Sequence, residues 1–132
     1  MMRPSYDDLL LEAMTLGATV EERTLQHGLC GFYWDRERTI VIDDGMADWQ
    51  KRCVLCHELS HARYHDAGCG TNCSKAERRA RKETALRLIS PLEYASAEAA
   101  YDGDAFLIAS DLGVTVQVLN DYRMWLDNNV RA

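Results

Sequence analysis

The segment Asp48-Trp49-Gln50-Lys51-Arg52-Cys53-Val54-Leu55-Cys56-His57-Glu58-Leu59-Ser60-His61-Ala62-Arg63-Tyr64-His65 is the part of the chain that organises the rest. Leu55, Leu59 and Ala62 recur at helical spacing and predict a helix with one buried face. His57-Glu58-Leu59-Ser60-His61 is an H-E-x-x-H placed on that helix. Residues four apart are only about 40° apart around a helix axis, so both imidazoles point the same way and can share one metal ion. Zinc is the expected metal, and Glu58 projects beside the pair, close enough to accept a proton from metal-bound water.

Outward from this helix, the N-terminal side reads as one helix and a small sheet. Ser5 can cap a helix to Leu16, with Asp7 and Asp8 at its positive end and Leu9, Leu10, Ala13 and Leu16 as its apolar stripe. Thr19 to Leu25, Gly31 to Trp34 and Arg38 to Asp43 read as strands. The last two flank a turn at Asp35-Arg36-Glu37-Arg38, and Thr39-Ile40-Val41-Ile42 is the clearest strand. On the C-terminal side, glycines mark a loop from Asp66 to Ser74. A helix then runs from Ser74 to about Ser90, a third follows Pro91 to about Tyr101, and two more lie around Gly113. The expected class is α+β, as a single domain over residues 1–132.

A catalytic zinc takes three protein ligands and an open position. His65, Glu77, Glu83 and the cysteines are the candidates for the third. His65 lies about 12 Å along the axis from His57, too far on a straight helix. On the next helix, Glu77 shares a mostly apolar face with Ala80, Arg81, Thr84, Ala85 and Leu88. Glu83 falls among Arg79, Lys82 and Arg87, which reads as the solvated face. Phase therefore selects Glu77, although a carboxylate there also suits the helix dipole.

His57-Glu58-Leu59-Ser60-His61, then Ala76-Glu77-Arg78-Arg79-Ala80, then Leu88-Ile89-Ser90-Pro91, and finally Leu112-Gly113-Val114-Thr115, resemble in order and spacing the ImmA/IrrE family of zinc metallopeptidases. The resemblance covers about residues 28 to 126. It implies a zincin-like, gluzincin-type site with His57, His61 and Glu77 on zinc and Glu58 as base. Members are often carried by phages and mobile elements and act on helix-turn-helix repressors, so the implied partner is a repressor. One position departs: the family usually has Asp or Asn four residues after the ligand glutamate, and this chain has Arg81. As an i, i+4 neighbour, Arg81 can pair with Glu77, which would hold the carboxylate in place but also draw its charge from the metal. That departure and the compact size of the chain keep a second reading open, a regulator that binds its partner without cutting it.

With 15 Lys plus Arg against 21 Asp plus Glu, the net charge of -6 argues against direct nucleic-acid or anionic-membrane binding. No apolar run is long enough for a membrane helix, no secretory leader is visible at the start, and the expected location is the cytoplasm. Five cysteines, an odd number, argue against a disulfide framework. Cys53 and Cys56 read as small core residues; Cys69 and Cys73 could bind metal or pair. Residues 109–115 resemble the turn of a helix-turn-helix, but Val116, Val118, Leu119, Tyr122 and Trp125 predict a packing face. Tyr64, His65 and Tyr94 are candidates to stabilise an oxyanion, and the strand Arg38 to Asp43 is a candidate edge for an extended substrate. The basic run Lys75 to Arg87 reads as a solvated face or part of a partner surface.

Overall fold

The computed structural model describes residues 3–67 and 73–129, without the side chain of Cys73. Helix α1 (Tyr6–Thr15) starts at a reciprocal cap: Ser5 Oγ accepts the Asp8 N–H at 3.0 Å and Asp8 Oδ2 accepts the Ser5 N–H at 2.9 Å. Leu9 and Ala13 face the core. Strands β1 (Thr19–Arg23), β2 (Gly31–Trp34) and β3 (Thr39–Asp43) form one sheet in the order β1-β3-β2. β1 runs parallel to β3 and β2 antiparallel to it. Ile40, Val41 and Ile42 are all buried because β3 is the central strand, covered on both faces.

That order corrects one expectation. Both sides of β3 are paired, so it offers no free edge; the free edges belong to β1 and β2. Arg38 is also outside the strand. It closes the 3-10 turn Asp35–Glu37 in the left-handed region, with φ of 48°. Its guanidinium makes up the cost by donating to the carbonyls of Ala62, at 2.8 Å, and Leu16, and so ties the hairpin to the ends of two helices.

Helix α2 (Asp48–Arg63) lies on the sheet and α3 (Cys73–Leu88) packs against α2. Leu55, Leu59 and Ala62 are fully buried, as their spacing predicts, and so are Cys53 and Cys56 to within a few per cent. Cys69 and the Cys73 side chain lie outside the described residues. Helix α4 (Pro91–Ala100) is capped by Ser90 with Pro91 in its first turn. Helices α5 (Ala105–Leu112) and α6 (Val116–Asn129) meet at Gly113, whose φ of 68° lets Val114 N–H reach back to the Ala109 carbonyl. Val118, Leu119 and Tyr122 are buried against the core, so this face of α6 packs inward; Val116 is exposed, contrary to its assignment to the packing face. Among the described residues there are six α-helices and one three-stranded sheet, a mixed α+β domain. No described helix is long and apolar enough to cross a membrane.

Candidate metal centre

Helix α2 presents His57 and His61 one turn apart, with ring centroids 5.1 Å from each other. α3 brings Glu77 against both. Its Oε1 lies 3.1 Å from His57 Nε2 and 3.2 Å from His61 Nε2. Among the described residues these three alone form a group able to hold a metal ion, with all ligand atoms within 4.8 Å of one another. Bonds of ~2.0 Å in a tetrahedron leave ligand atoms roughly 3.3 Å apart, so the spacing fits one small divalent ion.

The chemistry of the donors points the same way. His61 Nδ1 lies 2.8 Å from Asp66 Oδ2. Arg79 donates to the same oxygen. Burial opposes the Asp66 carboxylate, but the bonds from Arg79 and His61 outweigh it and hold its pKa below the ordinary range. An ionised Asp66 takes the Nδ1–H of His61. That leaves Nε2 of His61 as the ring atom that faces the Glu77 oxygen, next to Nε2 of His57, the placement in which three donors can share one cation. Burial, chiefly, lowers the pKa of His57 and favours its neutral, ligating form. Glu77 is held ionised: burial raises its pKa, but the two histidines lower it further.

Glu58 lines the cleft next to these groups. Burial pushes its carboxyl up to about 7, against the lowering influence of His61 and with a smaller push from Glu77. The cleft has a volume of about 250 Å³ and runs between the start of β2, at Gly31, and helices α3 and α6. A Cβ on Gly31 would lie 2.6 Å from Val54 Cγ1 and 2.8 Å from the Val41 carbonyl oxygen, so only glycine lets β2 sit this close to α2. A larger cavity of about 580 Å³ at the beginnings of α1, α2 and α4 contains no such cluster.

Several expectations are corrected here. Glu83 is not on a solvated face: it is half-buried against α2, accepting from Ser60 Oγ at 2.9 Å, Arg63 at 3.0 Å and the Tyr64 hydroxyl at 2.7 Å. It still lies outside the ligand group, as does His65, which faces Asp35. Arg81 does not pair with Glu77. Its guanidinium makes two bonds to Asp121 of α6, at 2.9 and 3.1 Å. None of Tyr64, His65 and Tyr94 lines the cleft: Tyr94 is buried against Tyr122, and its hydroxyl accepts from Arg123.

Asp66 is the residue that sequence reasoning missed. It is positioned by the end of α2, where His65 takes a left-handed φ of 53°, His65 N–H bonds to the Ala62 carbonyl, and Asp66 N–H bonds to the His61 carbonyl at 2.9 Å. This Schellman-type closure folds Asp66 back over the last turn and onto the imidazole. A glycine in place of His65 would have announced it.

Fold and site together define a small α+β protein with a His-His-Glu centre next to a buried carboxylate. The chain belongs to the family Peptidase_M78, the IrrE N-terminal-like domain, whose model matches residues 13–122. That is a metallopeptidase family, as the resemblance led us to expect. No curated protein and no solved structure matches the chain.

Proposed function

We propose that this protein is a zinc-dependent endopeptidase with a zincin-like, gluzincin-type site, which cuts a particular protein partner. The observation that carries the reading is the convergence of His57, His61 and Glu77 on one point at the edge of a cleft that also holds Glu58. Zinc bound there would supply a Lewis acid that polarises the scissile carbonyl and acidifies water. Glu58 accepts the proton from the attacking water and returns it to the leaving amine. Its place in the cleft beside the three ligands suits a group that must take and give up a proton there. Asp66 holds His61 in the tautomer that leaves Nε2 free to ligate. The unpaired edge of β2, which borders the cleft at Gly31, is where an extended substrate segment adds its main chain.

The partner we favour is a helix-turn-helix repressor met in the cytoplasm, on the strength of the family resemblance. The non-cleaving alternative drew on the compact size of the chain and on Arg81 pairing with Glu77; Arg81 gives its hydrogen bonds to Asp121 instead, which takes away the second ground and leaves the first. The test incubates zinc-loaded protein with the repressor encoded beside it, and separately with casein, each alongside Glu58→Gln, and reads intact masses. We expect repressor fragments that disappear with Glu58→Gln, and little casein digestion. An intact repressor in a stable complex would favour the non-cleaving regulator.

A further inference from the structure

Helix α3 carries more cations than its fold requires. Arg79 is engaged by Asp66, Arg81 by Asp121 and Arg87 by Glu12. Lys75, Arg78 and Lys82 have no acidic partner among the described residues, and all three are exposed. Their spacing of three and four residues places them along one face of the helix. In a chain with a net charge of -6, three neighbouring unpaired cations make a local patch of opposite sign.

Arg78 and Lys82 form one wall of a groove of about 400 Å³ between α3 and α6. Met124, largely exposed, and Trp125, half-buried and stacked near Tyr122, supply its apolar lining. The groove adjoins the cleft of the metal centre, since the Arg81–Asp121 pair lines both. Helical phase explains the continuity. At about 100° per residue, Arg81 lies about 40° around α3 from Glu77, and Arg78 a further 60° or so in the same direction. A chain leaving the metal centre past Arg81 therefore enters the groove.

We infer that this groove is an extended subsite that selects an acidic segment of the substrate protein: a large apolar side chain enters against Met124 and Trp125, while neighbouring Asp or Glu residues meet Arg78 and Lys82. The inference rests on the peptidase reading for its substrate, and it adds the chemistry by which that substrate is chosen. A nucleic acid fits less well, because the patch has only three free cations and Asp121 stands at its end.

The experiment is a random-peptide display selection on immobilised, zinc-loaded, full-chain Glu58→Gln protein, which binds without cutting. We expect enriched peptides with clustered Asp or Glu beside Trp, Phe or Leu. A labelled peptide of that consensus should bind about tenfold more weakly to the chain that also carries Arg78→Glu and Lys82→Glu, and more weakly in high salt. Circular dichroism and zinc content establish that the variant is folded, and Met124→Glu, at an exposed position, tests the apolar lining separately. Neutral or basic consensus peptides, no enrichment, undiminished binding by the charge variant, or tighter binding of oligo(dT) than of acidic peptide would each overturn the proposal. Cleavage plays no part in the assay. A chain that selects acidic peptides but cuts nothing refutes the peptidase reading alone. One that cuts through Glu58 without acidic selection refutes the groove alone.

Discussion

The Asp66 carboxylate lies 2.8 Å from Nδ1 of His61, and the same oxygen takes a hydrogen bond from Arg79. One side chain thus joins the last turn of α2 to α3 next to the place where His57, His61 and Glu77 converge. Orientation of a ligating imidazole by a carboxylate raises its basicity and fixes its tautomer. Asp66→Ala is expected to leave the chain folded but weaken zinc binding by about 10- to 100-fold. Competition with a chromogenic chelator measures this; unchanged affinity would show that His61 is oriented without Asp66.

Glu77 and Glu83 lie on the same helix and differ in their surroundings: Glu77 faces His57 and His61, and Glu83 faces Ser60, Arg63 and Tyr64. Glu77→Ala, like His61→Ala, should abolish stoichiometric zinc in metal analysis. Glu83→Ala should keep the zinc and lose about 1–2 kcal/mol of stability, because Ser60, Arg63 and Tyr64 lose a common acceptor. Metal content and thermal melts of the two variants form the comparison. The reverse pattern would overturn the ligand assignment.

Gly31 is expected to tolerate no side chain. Its Cβ position lies within 3 Å of both Val54 Cγ1 and a backbone oxygen of β3, and the backbone has little room to yield. Gly31→Ala should cost about 1–3 kcal/mol and displace β2 from the cleft. Denaturant titration gives the cost, and on the proposed function cleavage of the protein partner should fall by more than the stability loss explains.

Acid should loosen the attachment of β1. Glu22 accepts from Lys51 of α2 at 2.8 Å and from Tyr6 of α1 at 2.7 Å. The Lys51 bond foremost, then the Tyr6 bond, lowers the Glu22 pKa against a small opposing effect of burial. A depressed carboxylate pKa gives stability that is complete above the unfolded value, about 4.3, and is lost as pH falls through the folded value. Melting temperatures taken downward from neutral pH should fall less steeply for Glu22→Gln than for the parent chain. Parallel curves would mean that these bonds add nothing in solution.

Much of the centre was legible in the sequence because it depends on helical periodicity alone. His57 and His61 share a face four residues apart, and the apolar neighbours Ala80, Ala85 and Leu88 tell which side of α3 turns inward and carries Glu77 with it. The same local rules located the Ser5 cap, the start of α4 at Pro91, the Gly113 turn and the buried Cys53 and Cys56. What only the tertiary structure decided lies between elements. Glu83 met Ser60 and Arg63, Arg81 met Asp121, and β3 became the middle of the sheet and not its edge. Phase says which way a side chain leaves its own helix, but the partner it finds depends on how far apart two helices pack, at what angle and in what register. Strand order depends likewise on the path of the connections. Asp66 shows both at once: a helix end closed by a left-handed histidine returned it to His61, and the packing of α3 supplied Arg79 to keep it ionised there.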